Sequence, residues 1–252
     1  MGIHLYILSG TSRGMGLAMA RELLQPGHAL LCIARHANPE LAELARQAEV
    51  PLAQWTLDLR QATAACERLS DWLRQPEQIG CASATLINNA AMMPRIAALA
   101  DSHRDDLMNT LRVGLEAPML LSSAFLDATR TWTVPRKLLN ISSGLGRRPM
   151  ASQSAYCAAK AGMDHFTRCL ALEEALQPHG ARVCALAPGV IDTDMQVQLR
   201  GARPEDFPDQ PRFEQLKTQG LLTSPEEAAR AVLAYLARPD FGSQSVADVR
   251  QD

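Results

Sequence analysis

The chain has 252 residues, 47% hydrophobic and 21% charged, with a formal net charge of −2 and a pI near 6.3. That length and apolar content predict one α/β domain, residues 1–252, with a sizeable core. The arginines are spread without forming a run, which argues against a nucleic-acid or membrane-binding face, so the expected partners are small molecules. The six cysteines, at 32, 66, 81, 157, 169 and 184, include no CxxC pair. Zinc, an iron cluster or a disulfide framework is therefore not expected, and no metal is assigned. No apolar run approaches the ~18 residues of a membrane helix. The opening MGIHLYILSG lacks the charged region and cleavage site of a leader, and Tyr6 stands where a myristoylation motif needs Ser or Thr. A cytoplasmic protein is the expectation.

Short apolar runs alternate with amphipathic stretches, the rhythm of βαβ units around a parallel sheet buried on both faces. Strands are predicted at about 3 to 9, 29 to 34, 51 to 57, 83 to 88, 136 to 142 and 181 to 187, with a short final one around 246 to 249. Helices are predicted near 15 to 25, 39 to 48, 61 to 74, 101 to 128 and 154 to 177. Right-handed crossovers would wind the sheet both ways from its first strand, a doubly wound Rossmann-type arrangement of six or seven mostly parallel strands with ligands beyond their carboxyl ends. Residues 196–223, with Pro204, Pro208 and Pro211, break the rhythm and read as a mobile lid. Ser224-Pro225-Glu226-Glu227 then opens a last helix with a capping box.

Directly after the first strand comes Ser9-Gly10-Thr11-Ser12-Arg13-Gly14-Met15-Gly16, leading into a helix. Gly10 permits a tight turn, Gly14 lets backbone approach a diphosphate, and Gly16 lets the helix pack closely, with its N-terminus facing the anion. The second strand ends Ile33-Ala34-Arg35-His36. NAD sites usually place an acid there for the ribose 2′-hydroxyl, whereas NADP needs a cation for its 2′-phosphate. Each arginine alone reads more often as a solvated surface group, but Arg35 with Arg13 in the turn favours NADP(H).

Tyr156 and Lys160 share a helix face one turn apart, and a nearby ammonium would help stabilise a phenolate. Ser143, at the carboxyl end of a central strand, stands ready to hydrogen-bond a substrate oxygen. The spacing YxxxK is common and also describes an ordinary helix face with a snorkelling lysine. Lys160, however, is one of three lysines in an arginine-rich chain, with Lys137 and Lys217, so a compact ammonium has been kept there.

Taken in order, the Gly10–Gly16 turn, Asp58-Leu59, Asn88-Asn89-Ala90, Ser143, Tyr156 with Lys160, and Pro188-Gly189-Val190 resemble the short-chain dehydrogenase/reductase family over essentially the whole chain. The resemblance implies a cofactor site of Gly10, Ser12, Arg13, Gly14, Met15, Gly16 and Arg35, with Asp58 and Leu59 at the adenine. Asn89 and Ala90 would line the channel, and Pro188, Gly189, Ile191, Thr193 and Met195 would lie at the nicotinamide end. Lys160 would bind the ribose and lower the pKa of Tyr156, which protonates a carbonyl oxygen that Ser143 orients. It also implies a homodimer, or a tetramer, formed through the helices near 101–128 and 154–177.

Two positions depart from the family pattern. Ala91 replaces a usual glycine and should narrow the channel slightly. Gly114 replaces the asparagine thought to anchor a water between the lysine and solvent. Asn109, five residues earlier and about 140° around a helix, is a poor substitute, so water filling the space beside Gly114 is expected to give a slower relay. The segment Pro188–Gln196, the residues Phe213–Lys217 and the tail resemble the sepiapterin reductase branch, which includes bacterial reductases of benzil-like diketones. That likeness implies a reductase of vicinal diketones or of a pterin side-chain carbonyl, with Asp248 anchoring the substrate's amino groups, although a solvated tail acid fits that position equally. Met92, Met93, Met150 and Met195 would form a permissive apolar pocket around the substrate, and core packing accounts for each as well. A non-catalytic NADP(H)-binding sensor, or an alcohol dehydrogenase working oxidatively, are the competing readings.

Overall fold

The computed structural model describes residues 2–251. Seven strands, all parallel, form one sheet in the order β3-β2-β1-β4-β5-β6-β7. They are β1 (His4–Ser9), β2 (His28–Ala34), β3 (Leu52–Thr56), β4 (Ser83–Asn88), β5 (Arg136–Ile141), β6 (Arg182–Ala187) and β7 (Val246–Asp248). The helices are α1 (Gly14–Glu22), α2 (Pro39–Gln47), α3 (Ala62–Leu73), α4 (Pro76–Ile79), α5 (Arg104–Leu111), α6 (Ala117–Ala128), α7 (Ser154–Ala175), α8 (Asp194–Arg200), α9 (Gln210–Thr218) and α10 (Pro225–Ala237). This is a single doubly wound Rossmann-type domain.

Period-two alternation explains the two-sided core. Leu5 and Ile7 of β1 face the layer of α3, α6 and α7, where Leu69, Leu73, Leu121 and Phe125 are buried. Leu8, in the opposite phase, faces α1, α2 and α10 with Met19, Leu41 and Val232. The expected capping box at α10 is present, with the Ser224 side chain accepting from the Glu227 N–H and the Glu227 side chain accepting from the Ser224 N–H. Asn38 caps α2 by accepting from the Leu41 N–H at 2.9 Å.

Two helical expectations need correction. The helix expected over 101 to 128 is broken at Arg112–Glu116 by a π-turn, which inserts an extra residue into the turn and displaces Gly114 from simple α-helical phase. Residues 196–223 are not an irregular connection but contain most of α8 and all of α9. Pro211 lies in the first turn of α9, where its missing N–H costs nothing. Phe207 and Phe213 stack with ring centroids 5.6 Å apart over Ile96 and Leu199. The segment is also stitched down: Asp192 N–H donates to Thr223 O at 2.9 Å, Thr223 N–H to Val190 O at 3.0 Å, and Gln198 Nε2 to Pro94 O at 2.8 Å.

Phe207 is fully buried in this small satellite core. Phe207→Ala is expected to weaken the segment locally by about 3 kcal/mol. Hydrogen exchange should then accelerate over 194–218 well before the sheet opens, and uniform protection would mean that the stacked pair does not hold the segment.

Candidate active site

Gly10, Gly14 and Gly16 set the geometry of the turn. Gly10 and Gly14 adopt positive φ, +75° and +57°. A Cβ on Gly16 would lie 2.1 Å from Gly10 O and 2.4 Å from Asn89 Nδ2, so no side chain fits there. Asn89 Nδ2 donates to the carbonyls of Ser9 and Gly10 at 3.0 and 3.1 Å, and Ser9 Oγ accepts from the N–H groups of Asn89 and Ala90. Unlike α2 and α10, α1 begins with no side-chain cap and no acid in its first turn, so its first N–H groups border the cavity ready for an anion. The open backbone at Gly14, where a Cβ would meet only Thr193 Cγ2 at 3.6 Å, leaves the close approach that a diphosphate needs. These residues fit a dinucleotide cofactor.

The cavity, about 620 Å³, runs along the carboxyl ends of the strands. Its walls bring together Gly10, Ser12, Arg13, Gly14, Met15, Gly16, Arg35, Asp58, Leu59, Asn89, Ala90, Ser143, Met150, Tyr156, Lys160, Pro188, Gly189, Ile191, Thr193 and Met195. Ala91, Met92 and Met93 line it as well. Arg13 forms an exposed ion pair with Asp194, so Arg35 is the guanidinium left at the end of β2. Arg60 was not anticipated: it lines the same end and holds the Asp58 carboxylate through Nε and Nη2 at 2.8 and 2.5 Å, keeping it below its ordinary pKa. An arginine two residues after a predicted adenine-binding acid was the available signal.

At the other end, Tyr156 and Lys160 are 8% and 2% exposed on the first turns of α7. Ser143 follows β5 and its Oγ accepts from the Leu145 N–H at 3.2 Å. Burial pushes the Tyr156 phenol up to about 12, against a lowering hydrogen bond from Ser143. The expected lowering by Lys160 is absent from this arrangement. The amine donates instead to Ile141 O at 2.7 Å and lies 5.8 Å from the ring centroid. Burial also brings Lys160 down to about 8, opposed by the charge of Asp164.

Asp164, one turn beyond Lys160 and buried, anchors the loop that carries Ser143. Its Oδ1 accepts from Ser142 Oγ, and Arg147 Nε lies 3.4 Å from Oδ2. A Cβ on Gly146 would be 2.9 Å from both Asp164 Oδ2 and Lys160 O, which fixes the loop tightly against α7. Behind this lies a polar ladder that sequence reading missed: Asn88 Nδ2 donates to Asn140 Oδ1 at 2.9 Å, and Asn140 Nδ2 to Thr167 Oγ1 at 2.9 Å. Gly114 is buried opposite α7, where an added Cβ would have one neighbour within 4 Å, Ala159 Cβ at 3.2 Å. Asn109 does not line the cavity.

The one expected site residue outside the cavity wall is Asp248. It is buried at 4% exposure, and its carboxylate is engaged by Arg250. Arg250, two residues on, reaches the cavity in its place. The sequence expectation of an acid facing substrate is therefore corrected.

A glycine-rich anion site and a Ser–Tyr–Lys group at opposite ends of one cleft define an oxidoreductase of the dinucleotide-dependent class. The short chain dehydrogenase family model matches residues 5–204, and the chain belongs to that family, whose members use NAD or NADP. It is 35% identical over 235 residues to "Benzil reductase ((S)-benzoin forming)" of Bacillus cereus, covering 93% of this chain and 94% of that one. It is 30% identical over 263 residues to sepiapterin reductase of Mus musculus, covering 98% and 97%. The crystal structure of the KRED1-Pglu enzyme superposes with a TM-score of 0.81 at 25% identity, covering 97% and 99%.

Asp164→Asn removes the charge that holds the Lys160 pKa up, so that pKa falls further below about 8. Loss of the ammonium with rising pH then begins earlier, and the alkaline limb of kcat/KM is expected to move to lower pH; an unmoved limb would leave Asp164 a packing role only. Gly114→Asn is expected to raise turnover and shift its pH profile while costing about 1 kcal/mol of stability through the Ala159 contact. Unchanged turnover and profile would mean that no proton path passes this position.

Proposed function

We propose that the protein is an NADPH-dependent reductase of small carbonyl compounds, of the vicinal diketone or pterin side-chain type, working in the cytoplasm as a homodimer. The observation that carries this reading is the buried Tyr156–Lys160 pair beside Ser143, at the far end of the cavity that begins at the glycine turn. The similarity to benzil and sepiapterin reductases supports the choice of substrate. No helix among the described residues is long and apolar enough to cross a membrane, in keeping with the proposed location.

When bound, the cofactor supplies the hydride. Ser143 donates a hydrogen bond to the carbonyl oxygen and Tyr156 passes its phenolic proton to that atom. A phenol's ordinary pKa already keeps Tyr156 protonated at neutral pH, the state a donor requires, while burial, which raises that pKa, makes it a weaker acid. Lys160, which donates to Ile141 O, would bind the cofactor ribose, and solvent beside Gly114 would resupply the proton. NADPH is preferred because Arg35 stands where an acid would select NADH. Arg13 would join it in holding the 2′-phosphate, since its exposed ion pair with Asp194 is weak. Residues 196–223 act as the lid over the substrate end.

Exposed Met108, Leu111, Met119, Leu172 and Leu176, on α5, α6 and at the end of α7, support dimerisation through these helices.

Loss of NADPH absorbance with benzil or sepiapterin tests the reading. Tyr156→Phe is expected to cut turnover by about 10³-fold while leaving NADPH binding in place. Arg35→Ser is expected to lower the NADPH-over-NADH ratio of kcat/KM by about tenfold or more. Tight NADPH binding with no turnover on any carbonyl would favour a sensor instead, and a wild-type preference for NADH would overturn the cofactor assignment.

A further inference from the structure

The tail of the chain inverts the charge expected at the substrate end. Asp248 stays out of the cavity wall and accepts from Arg250 Nε at 2.8 Å, from its Nη2 at 2.6 Å and from its backbone N–H at 3.1 Å. Held by a buried carboxylate, the Arg250 guanidinium extends across the loop after β6. Its Cδ lies 3.7 Å from where a Cβ on Gly189 would be, and its Nη2 lies 4.0 Å from the corresponding point on Gly144. Arg148 converges on that second point with Nη2 at 3.4 Å and Nε at 3.9 Å. Two guanidiniums thus meet beside Gly144, the residue after Ser143.

The acids of the cavity wall do not neutralise them. Asp58 is held by Arg60, Asp194 by Arg13, and Asp192 by Lys217 and Arg200. Asp248, outside the wall, offsets the charge of Arg250, while no acid lies within 4.0 Å of the Arg148 side-chain nitrogens among the described residues, so the group of three keeps one uncompensated guanidinium charge. The place where a substrate's second functional group would lie, next to the carbonyl held by Ser143, is therefore cationic. Guanidinium groups match a carboxylate with paired, charge-assisted hydrogen bonds, stronger than those they offer a neutral oxygen.

We propose that Arg148 and Arg250 form a carboxylate subsite, which makes 2-oxo acids, and in particular arylglyoxylates whose ring fits the wall of Met92, Met93 and Met150, the preferred substrate class. This inference rests on the reductase reading above and narrows it. The 2-oxo acid is reduced to the 2-hydroxy acid as NADPH is oxidised to NADP⁺. The carbonyl carbon gains the hydride, its oxygen gains the proton, and the carboxylate is unchanged. Asp248 is a positioning residue that fixes Arg250.

Benzoylformate, its methyl ester and benzil separate the two levels of this reading, because the acid and its ester differ chiefly in charge. Wild-type protein is expected to favour the acid over the ester by about tenfold or more in kcat/KM, chiefly through KM, and Arg148→Gln and Arg250→Gln are each expected to lower that ratio by about tenfold. Rising salt should lower the ratio as well. A wild-type ratio at or below one, or a ratio unmoved in both variants, overturns the subsite while leaving diketone reduction standing. If no carbonyl compound is reduced, the reductase reading fails. Titration of mandelate into the NADP⁺-saturated protein then decides the subsite: binding lost in Arg148→Gln supports it, and binding that is absent from wild type or equal in the two overturns it.

Discussion

The crevice at the end of β1 is arranged around one close approach, that of Gly16 to the Gly10 carbonyl and the Asn89 amide. No side chain fits at position 16, where a Cβ would lie 2.1 Å from Gly10 O. β1 runs between β2 and β4, so the crossovers on its two sides leave in opposite directions and open a crevice at its carboxyl end. Asn89 closes the floor of that crevice by bonding back to Ser9 and Gly10, tying the end of β4 to the end of β1. The uncapped start of α1 is thereby held against the crevice, and the loops after β5 and β6 supply its far wall.

The far wall depends on a different constraint, the burial of a lysine. Desolvating an ammonium is costly unless partners replace the lost water, and deleting one partner of a buried ion pair is more damaging than never having built it. Lys160 has Ile141 O and the nearby charge of Asp164. Asp164 in turn holds Ser142 and Arg147, on either side of the turn that follows Ser143. The group that keeps the lysine charged therefore also sets where the serine stands. Electrostatics and geometry at this end of the cavity cannot be altered separately.

The parts legible in the sequence were those in which a residue's role is local. Apolar runs gave the strands within a residue or two, Ser224 and Glu227 announced their cap, and the four-residue spacing of Tyr156 and Lys160 defined a shared face. What stayed hidden depends on partners distant in sequence or on one-residue changes in helical phase. The π-turn at Arg112–Glu116 shifts the phase within a short stretch in which only Gly114 is buried, too few core positions for an apolar pattern to register the change. Pro204, Pro208 and Pro211 read as breakers, yet Pro211 starts a helix, and Phe207 and Phe213 become a core only when α8 and α9 fold over Ile96. The Asn88–Asn140–Thr167 ladder needs strand register and helix docking together before any of its members has a partner.

Asp248 shows why the charge of a site cannot be taken from one residue. Its place on β7, level with Ala187 in β6, brings it to the loop that begins at Pro188. Arg250 covers the carboxylate and turns a cation toward the cavity. The same reversal makes sense of the cavity as a whole. An anionic substrate would be repelled by a cofactor carrying several phosphates if a single patch of positive charge had to serve both. Here the cations are divided, Arg35 at the end of β2 and Arg148 with Arg250 beyond Gly144, and Met93 and Met150 pack against the small core of Phe207 and Phe213. On the proposed function, each anionic group would be neutralised at its own end, and the reacting carbonyl would lie beside the buried Tyr156 and Lys160.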